Sequence, residues 1–143
     1  MISPAPPVGR PSDSEDRIAT RGEMITRTLA MPADANPHGD ILGGWVLGQM
    51  DVAGGLAAAF RAKGRVETVA VTGMAFHKPV LVGDIVACHS AIERVGTTSI
   101  TVHVEVWVQR GGGGAAGRFK VTEGVFTYVA LDDEGRKRPV PPA

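Results

Sequence analysis

A chain of 143 residues and 14.9 kDa is long enough for one domain with a substantial core and too short for two. Hydrophobic residues make up 43% and charged residues 21%, which excludes a wholly disordered or collagen-like chain. Fifteen Lys and Arg residues balance fifteen Asp and Glu residues, so the net charge provides no overall field for nucleic acid or an anionic membrane. We therefore expect neither of these as a partner.

The cysteine content and the N-terminal sequence favour a cytoplasmic location. Cys88 is the single cysteine, so no disulfide can form within the chain. The N-terminus lacks a charged start followed by an apolar stretch, as a secretion signal would have. No apolar run approaches the roughly 20 residues that a membrane-spanning helix needs. These features are typical of a reducing, aqueous compartment.

Both ends of the chain are predicted to lie outside the folded domain. Residues 1–22 hold four prolines among Ser and mixed charges without an apolar period, which predicts a disordered tail. The domain is predicted at 23–131 and begins with a strand at 24–31, which Pro32 ends because proline cannot donate to a ladder. Residues 132–143 carry acids, bases and three prolines, so we expect a fraying C-terminal tail.

One long helix is predicted at residues 43–60, where the sequence GGWVLGQMDVAGGLAAAF has helical spacing. Its predicted apolar stripe comprises Val46, Met50, Ala53, Ala57 and Phe60. Asp40 is a candidate cap or first-turn acid. Lys63 and Gly64 provide a late cation and a glycine terminator.

The rest of the domain is predicted to be strands, at 66–76, 84–95, 98–110 and 118–131. Fourteen of the 18 valines lie between residues 66 and 130, and β-branched residues favour strands. In SITVHVEVWVQ, a period of two places Ile100, Val102, Val104, Val106 and Val108 on a core face. His103 and Glu105 share the other face and are expected to be a solvated or interface pair. One helix covering an antiparallel sheet of five or more strands is an α+β architecture.

Asp51 is the one charged residue in the predicted helix. The helix is otherwise apolar nearly all round, which predicts burial, and an unpartnered buried carboxylate costs several kcal/mol. At about 100° per residue, Asp51 falls on one line with Gly44, Gly48 and Gly55, so we expect something to approach closely there. Either another backbone packs there and a structural Arg or Lys pairs with Asp51, or a ligand channel ends at a catalytic carboxylate.

Gly43 and Gly44 stand at the predicted start of the helix. Free backbone N–H groups at a helix N-terminus stabilise developing negative charge on an oxygen. Gly43 precedes Asp51 by eight residues, which is about 12 Å along the helix axis. A thioester would span this distance only if it lay obliquely, or if a water held by Asp51 bridged the remainder. An ordinary glycine-rich helix start is the alternative interpretation.

Other catalytic patterns find no support in the sequence. The four histidines His38, His77, His89 and His103 form no HxxxH, and no CxxC is present, so no metal site is predicted. Residues 112–117 match GxGxxG, but the motif needs a following helix and here a strand follows, so a hairpin loop is expected. Ser-His-Asp chemistry lacks its nucleophile elbow.

The run TLAMPADANPHGDILGGWVLGQMDVAGGLAA, residues 28–58, resembles the signature of hotdog-fold acyl-CoA thioesterases, in the YciA-like group related to the mammalian cytosolic acyl-CoA hydrolases. FHKPVLVGDIV at 76–86, VGTTSITVHVEVWV at 95–108 and the last strand resemble the same group in order and spacing. The resemblance covers residues 24–141. It implies the hotdog fold, with a long central helix wrapped by an antiparallel sheet. It also implies a homo-oligomer, either a dimer or a trimer of dimers.

This resemblance implies an enzyme that hydrolyses acyl-CoA to a free acid and CoA. Asp51 would be the general base on water, with a nucleophilic role as the alternative. Asn36 would act with Asp51 across a subunit interface, while the amides of Gly43 and Gly44 would bind the oxyanion. No metal or redox cofactor is expected, since thioester hydrolysis needs neither. Leu42 stands where relatives commonly carry Phe or His, which suggests different acyl-pocket or oxyanion contacts.

CoA carries phosphates, so cationic and N–H donors are expected near the site. Candidate cations are Arg65, Lys78 and Arg94, each of which is also interpretable as a solvated surface charge. The turn formed by Gly96, Thr97, Thr98 and Ser99 offers N–H and hydroxyl donors.

Two further functions remain open on the same fold. A non-catalytic acyl-CoA-binding regulator would usually carry a DNA-binding helical domain, and residues 1–22 are too short and irregular to form one. An enoyl-CoA hydratase would need a paired Asp and His in its site. Thiol release, compared with water addition to an enoyl group, distinguishes these functions.

Overall fold

A computed structural model describes residues 20–112 and 117–143 of the chain. Within these ranges one α-helix packs against one antiparallel sheet of five strands, as predicted. The elements are β1 (Glu23–Leu29), α1 (Gly43–Ala62), β2 (Val66–Thr72), β3 (Ile85–Val95), β4 (Ser99–Gln109) and β5 (Arg118–Ala130). The strand order is β1-β3-β4-β5-β2, so β1 and β2 are the edges. No helix in the described ranges is long and apolar enough to cross a membrane.

Two of the predicted irregular segments lie partly outside the described residues. These are 1–19 of the predicted tail and 113–116 of the glycine-rich loop. Residues 20–22 instead bind the sheet, because the Arg21 N–H donates to Glu105 Oε1 at 3.0 Å and the Arg21 guanidinium lies 3.0 Å from Glu93. The packed part of the domain therefore includes these three residues as well.

Helix α1 packs on the sheet mainly through small side chains. Its buried residues are Val46, Met50, Ala53, Gly54, Ala58 and Ala62. Ala57 is half-buried, but Phe60 is 84% exposed, so the prediction that Phe60 belongs to the core is wrong. Glycine and alanine at positions 54, 58 and 62 let the helix axis lie close to the sheet, whereas a phenylalanine on that face would hold it away.

The C-terminal end of α1 lies two residues beyond the predicted one. Lys63, rather than Gly64, adopts the left-handed conformation, with φ of 55°. The Arg138 guanidinium donates to the Ala62 carbonyl at 2.8 Å. A side chain that is distant in sequence therefore satisfies a carbonyl at the helix terminus.

All strands except β2 lie within two residues of their predicted bounds. β2 ends at Thr72 because Gly73 turns the chain with a φ of 68°. The segment after this turn still follows β5, since Thr122 Oγ1 donates to the Ala75 carbonyl at 2.7 Å. This path carries the chain towards the N-terminal end of α1.

Both faces of β4 are buried. Its five predicted core residues are fully buried, as the period of two indicates. On the opposite face, His103 and Glu105 are only 6% and 3% exposed. The Trp107 indole N–H donates to Glu105 Oε1 at 2.9 Å, and His103 Nε2 lies 2.8 Å from Glu123 Oε1. Of the two predicted alternatives, a solvated pair is therefore wrong, because neighbouring side chains of the same chain exclude water from this face; an interface pair stays a prediction.

The C-terminal segment is docked on the domain, so the predicted fraying of residues 132–143 is wrong. Val140 N–H donates to the Thr97 carbonyl at 2.8 Å. The Arg61 guanidinium donates to the Pro141 carbonyl at 2.6 Å. Charges and prolines predict little local structure, but here hydrogen bonds to distant elements hold the backbone.

Replacing Arg138 with alanine should lower the free energy of unfolding by about 1–3 kcal/mol, because the Ala62 and Leu131 carbonyls lose a charged donor. Urea denaturation at a fixed protein concentration measures this difference. Lys137→Ala, an exposed change in the same segment, is the matched control and should stay within about 0.5 kcal/mol of the parent. Equal losses for the two variants would contradict the assigned role of Arg138.

Candidate active site

Asp51 lies in the middle of α1 and is held by side chains of β2 and β5. Thr68 Oγ1 donates to Asp51 Oδ1 at 2.7 Å, and the Tyr128 hydroxyl donates to the same oxygen at 3.0 Å. The Tyr128 hydroxyl also lies 3.1 Å from the main-chain oxygen of Asp51. Within the described residues, Oδ2 accepts no hydrogen bond from the protein. The carboxylate is therefore held through one oxygen and presents the other.

The partners of Asp51 are neutral hydroxyls. The expectation of a structural Arg or Lys is wrong for the part of the chain that the structure describes, where no such side chain pairs with Asp51. Burial, with the nearby Asp51 carboxylate, raises the pKa of the Tyr128 phenol, so this group stays protonated and donates. A carboxylate held in this way keeps one oxygen available to accept a proton.

The predicted line of glycines beside Asp51 is contacted along only part of its length. A Cβ at Gly55 would lie 3.6 Å from the Tyr128 ring, and one at Gly54 would collide with the Tyr128 hydroxyl. A Cβ at Gly44 or Gly48 would meet no atom of the described chain within 4 Å. Close approach therefore occurs at Gly54, beside the predicted line. On the line itself, the contact at Gly55 is an ordinary van der Waals contact, and this chain leaves Gly44 and Gly48 open.

A groove of about 380 Å³ opens beside the N-terminal end of α1. Its walls include Asn36, Ile41, Gly43, Phe76, Lys78 and Val80. The groove thus brings together three residues that the sequence analysis singled out, namely Asn36, Gly43 and Lys78. Asp51 does not line it.

The side chain of Asn36 is anchored through its oxygen. Oδ1 accepts the backbone N–H groups of His38 at 2.9 Å and Asp40 at 3.1 Å. This is the hydrogen-bonding pattern of an Asx turn. The amide Nδ2 has no partner among the described residues, so its two hydrogens are available to a ligand in the groove.

The N-terminus of α1 has no side-chain cap. Its N-cap residue is Leu42, which makes no side-chain cap hydrogen bond, so the prediction that Asp40 caps the helix is wrong. The first helical hydrogen bond runs from the Trp45 N–H to the Leu42 carbonyl. The backbone N–H groups of Gly43 and Gly44 come before it and have no partner within the helix. Such free N–H groups at a helix N-terminus attract negative charge.

A buried ion pair holds the loop that forms one wall of the groove. Asp84 is 2% exposed, and Arg110 donates to its two oxygens at 2.9 and 2.8 Å. Arg110 also reaches the Pro79 carbonyl at 3.2 Å, and Asp84 Oδ2 accepts the Leu81 N–H at 2.8 Å. Hydrogen bonding to Asp84 raises the pKa of Arg110. The pair thereby fixes the backbone on both sides of Val80.

The residues predicted to hold the CoA phosphates are divided between two ends of the sheet. Lys78 lines the groove. Arg65 and the turn 96–99 lie at the other end of the sheet. There the Thr98 carbonyl accepts the N–H of Ala130, the last residue of β5, and the Arg65 carbonyl accepts the N–H of Leu131. Arg94 is exposed on β3, next to this turn. Within one chain, Lys78 and the turn do not share a site.

The structure separates Asp51 from Gly43 within one chain as well. Eight residues of continuous helix separate them by about 12 Å along the axis. An oxyanion donor must lie about 3 Å from the carbonyl oxygen, whereas a base reaches the carbonyl carbon through a water molecule. One thioester would therefore reach Asp51 and Gly43 of the same chain only if it lay obliquely or if water bridged the remaining distance.

One cluster of metal-ligating residue types occurs in the described ranges. The ligand atoms of His103, Glu105 and Glu123 lie within 4.8 Å of one another. The Lys120 ammonium already lies 2.9 Å from Glu123 and 3.7 Å from Glu105. Lys120 and His103 together lower the pKa of Glu123. The absence of a metal site stays a prediction, and this cluster has its own cation.

Thr68 and Tyr128 are site residues that the sequence analysis did not single out. Thr68 lies 17 residues after Asp51 and Tyr128 lies 77 after it, so no local spacing connects them to the carboxylate. Tyr128 is the single tyrosine of the chain and stands in its last strand. That was the one available signal, because a buried tyrosine usually needs a hydrogen-bond partner.

The fold is that of a known class of proteins. Residues 38–115 match the family model described as the thioesterase superfamily. The chain belongs to the thioesterase superfamily, and the predicted hotdog fold is confirmed.

Individual relatives are similar over most of their length. The acyl-CoA thioester hydrolase YciA of Salmonella typhimurium is 51% identical over 122 residues, 85% of this chain and 92% of that protein. The hexameric thioesterase y2039 from Yersinia pestis superposes with a TM-score of 0.82 at 51% identity, covering 87% of this chain and 99% of that one. HI0827, a hexameric broad-specificity acyl-coenzyme A thioesterase, gives a TM-score of 0.80 at 48% identity, covering 86% and 84%.

Replacing Arg110 with alanine should lower the free energy of unfolding by about 2–3 kcal/mol, because the buried Asp84 carboxylate is left unpaired. The loss is below that of a fully buried pair, since the Arg110 side chain is 38% exposed. Adding Asp84→Asn should recover part of it, as chemical denaturation of the double-mutant cycle measures. Strictly additive losses would show that the two side chains are not coupled.

Proposed function

We propose that this protein hydrolyses acyl-CoA thioesters to free acids and CoA at sites shared between subunits, with Asp51 as the general base. The observation that carries this proposal is the Asp51 carboxylate, which is held through Oδ1 by two hydroxyls and has Oδ2 free. Membership of the thioesterase superfamily, with 51% identity to an acyl-CoA thioester hydrolase, makes the chain an acyl-CoA thioesterase.

In the proposed reaction, Asp51 removes a proton from a water molecule while the water oxygen bonds to the thioester carbonyl carbon. The carbonyl oxygen becomes an oxyanion, and the N–H groups of Gly43 and Gly44 stabilise it. The amide hydrogens of Asn36 position the water or the thioester. Collapse of the intermediate breaks the carbon–sulfur bond, and the CoA thiolate leaves and takes up the proton. The reaction consumes only water, so the proposal includes no cofactor.

The site is proposed to combine Asp51 of one subunit with Asn36, Gly43 and Gly44 of another. The separation of about 12 Å along α1 supports this, because it is wide for a base and an oxyanion donor that serve one carbonyl. The open face at Gly44 and Gly48 supports it too, since a second chain or a substrate has room there. The same two chains then form two equivalent sites.

A homo-oligomer follows from this shared site, and we propose dimers that assemble into a trimer of dimers. The relatives named above include two hexameric enzymes. Large apolar side chains are exposed on α1 and on the edge strand β2: Leu47, Val52, Leu56, Phe60, Val69 and Val71. Exposed apolar residues beside an unpaired strand edge favour association. The large aromatic side chain of Trp107 on β4 is not part of this exposed apolar surface. It is only 8% exposed, and the Arg118 guanidinium lies over its ring.

Lys78 is proposed to bind a CoA phosphate beside the groove, since it stands next to Asn36 and Gly43. Arg65, Arg94 and the turn 96–99 are kept as candidate CoA contacts for the site of a neighbouring subunit. A cytoplasmic location remains part of the proposal. Cys88 is a buried free thiol, and burial raises its pKa to about 11. Such a thiol suits a reducing compartment.

The alternative functions gain no support from the surroundings of Asp51. A hydratase would pair the aspartate with a histidine, but the partners of Asp51 in the described part of the chain are Thr68 and Tyr128. A regulator without catalysis would not need an acid-base group with a free oxygen. A thiol-release assay on acyl-CoA substrates from acetyl to palmitoyl tests the activity directly.

Asp51→Asn should leave the melting temperature within a few degrees of the parent and lower kcat by at least about 100-fold, because an amide cannot accept the proton. Thiol release at saturating substrate and thermal unfolding give the two measurements. Asp133→Asn, the same change at an exposed position, is the control and should keep full activity. A folded Asp51→Asn enzyme with unchanged turnover would exclude Asp51 as the base.

Mixing Asn36→Ala subunits with Asp51→Ala subunits should restore activity. In a mixed dimer, one site regains an intact Asn36 and Asp51 pair and the other lacks both. The reciprocal control mixes parent subunits with the double variant Asn36→Ala/Asp51→Ala, where a shared site leaves no intact pair in the mixed dimer. Native mass spectrometry confirms exchange. If mixed dimers of the control are active and those of the first mixture are inactive, Asn36 and Asp51 act within one chain.

A further inference from the structure

Tyr128 is placed to act on Asp51 and on the helix that carries it. Its ring is 1% exposed and stacks on Phe126 with the centroids 6.3 Å apart and the planes 12° from parallel. Its hydroxyl contacts both Oδ1 and the main-chain oxygen of Asp51. A ring fixed on a central strand therefore defines where this part of α1 lies relative to the sheet.

Gly54 makes the space for that hydroxyl. A Cβ at position 54 would overlap the Tyr128 oxygen and lie 3.2 Å from two ring carbons. Glycine destabilises a helix interior relative to alanine, so its presence three residues after Asp51 calls for a structural reason. Close approach of the Tyr128 phenol to the helix backbone provides that reason.

We infer that Tyr128 is a positioning residue for the hydrolytic reaction, which orients the Asp51 carboxylate so that Oδ2 receives the proton of the attacking water. This inference rests on the proposed function. Tyr128 acts through Asp51 and does not touch the substrate. Gly54 is the residue that admits the phenol to this position.

The hydrogen bonds around Asp51 assign different roles to its two oxygens. Thr68 and Tyr128 both donate to Oδ1, and these hydrogen bonds occupy its lone pairs. Oδ2 keeps its lone pairs for water. Two donors from different strands also restrain rotation about the Cβ–Cγ bond, which a single donor would allow. The arrangement therefore selects one oxygen and one direction for proton transfer.

Tyr128 is the titratable group that faces the Asp51 carboxylate. Thr68, its partner from β2, does not ionise, and between Gly43 and Phe60 α1 carries no other charged residue. Among the described residues, no Arg, Lys or His forms a hydrogen bond or an ion pair with Asp51. In the proposed shared site, the groove of the neighbouring subunit adds Asp40, His77 and Lys78. None of these contacts Tyr128 in the described chain, so removal of the Tyr128 hydroxyl should act on catalysis through Asp51.

Tyr128→Phe tests the inference, because it keeps the ring and its packing and removes the hydroxyl. We expect kcat to fall about 10- to 100-fold with KM within about 2-fold of the parent. A donor stabilises the ionised carboxylate that catalysis requires. Its loss should move the acid limb of the kcat profile to higher pH. Thiol release between pH 4 and about 9 gives all three quantities.

Two further variants separate positioning from stability. Gly54→Ala leaves Asp51, Thr68 and the phenol in the sequence but displaces the phenol, so it should reproduce the loss of kcat and the shift of the acid limb. Ser90→Ala, which removes a buried hydroxyl on β3 that has no partner, should keep kcat within about 2-fold and leave the profile unchanged.

A Tyr128→Phe enzyme with the parental profile would overturn the inference, whatever its stability. So would a lower kcat without a shift of the acid limb, since a purely structural role predicts that pattern. Asp51→Asn, assayed in parallel, distinguishes this failure from failure of the proposed function. If Asp51→Asn is inactive and Tyr128→Phe is unaffected, only the role of Tyr128 is wrong; if Asp51→Asn is active, the proposed base itself is wrong.

Discussion

The close packing of α1 on the sheet is the constraint on which the rest of this structure depends. Gly54, Ala58 and Ala62 bring the helix backbone near the strands, and Gly54 in particular admits the Tyr128 hydroxyl. That approach makes room for a carboxylate in an otherwise apolar helix, because β2 and β5 supply hydroxyl donors to Asp51. Larger side chains on this face would move the helix away and leave the carboxylate without partners.

The length of α1 then bears on assembly. Its uncapped N-terminus offers N–H groups at Gly43 and Gly44, while its only charged residue before Arg61 stands two turns further along. This distance is wide for two groups that serve one carbonyl, so the proposed chemistry favours a second chain. Oligomerisation is part of catalysis in that proposal, and the exposed apolar face of α1 suits such a contact.

The buried acidic side chains and Asp51 stand in different surroundings. Asp84 with Arg110, and Glu105 and Glu123 with Lys120, are paired, and they hold loops and strands in place. Asp51 has neutral donors on one oxygen only. A paired carboxylate has its lone pairs and its charge satisfied, whereas Asp51 retains a basic oxygen for a water molecule. This contrast, rather than burial alone, distinguishes the candidate base from the structural acids.

The sequence by itself determined the helix, the strands and the core face of β4, and it singled out Asp51 as a candidate, because periodicity and an isolated charge are local properties. The motif of residues 28–58 indicated the family in the same way. Only the tertiary structure decided that Tyr128 and Thr68 hold Asp51, that His103 and Glu105 are buried, and that the C-terminal segment is docked. These contacts join residues far apart in the chain, and no local pattern encodes which distant side chain meets which.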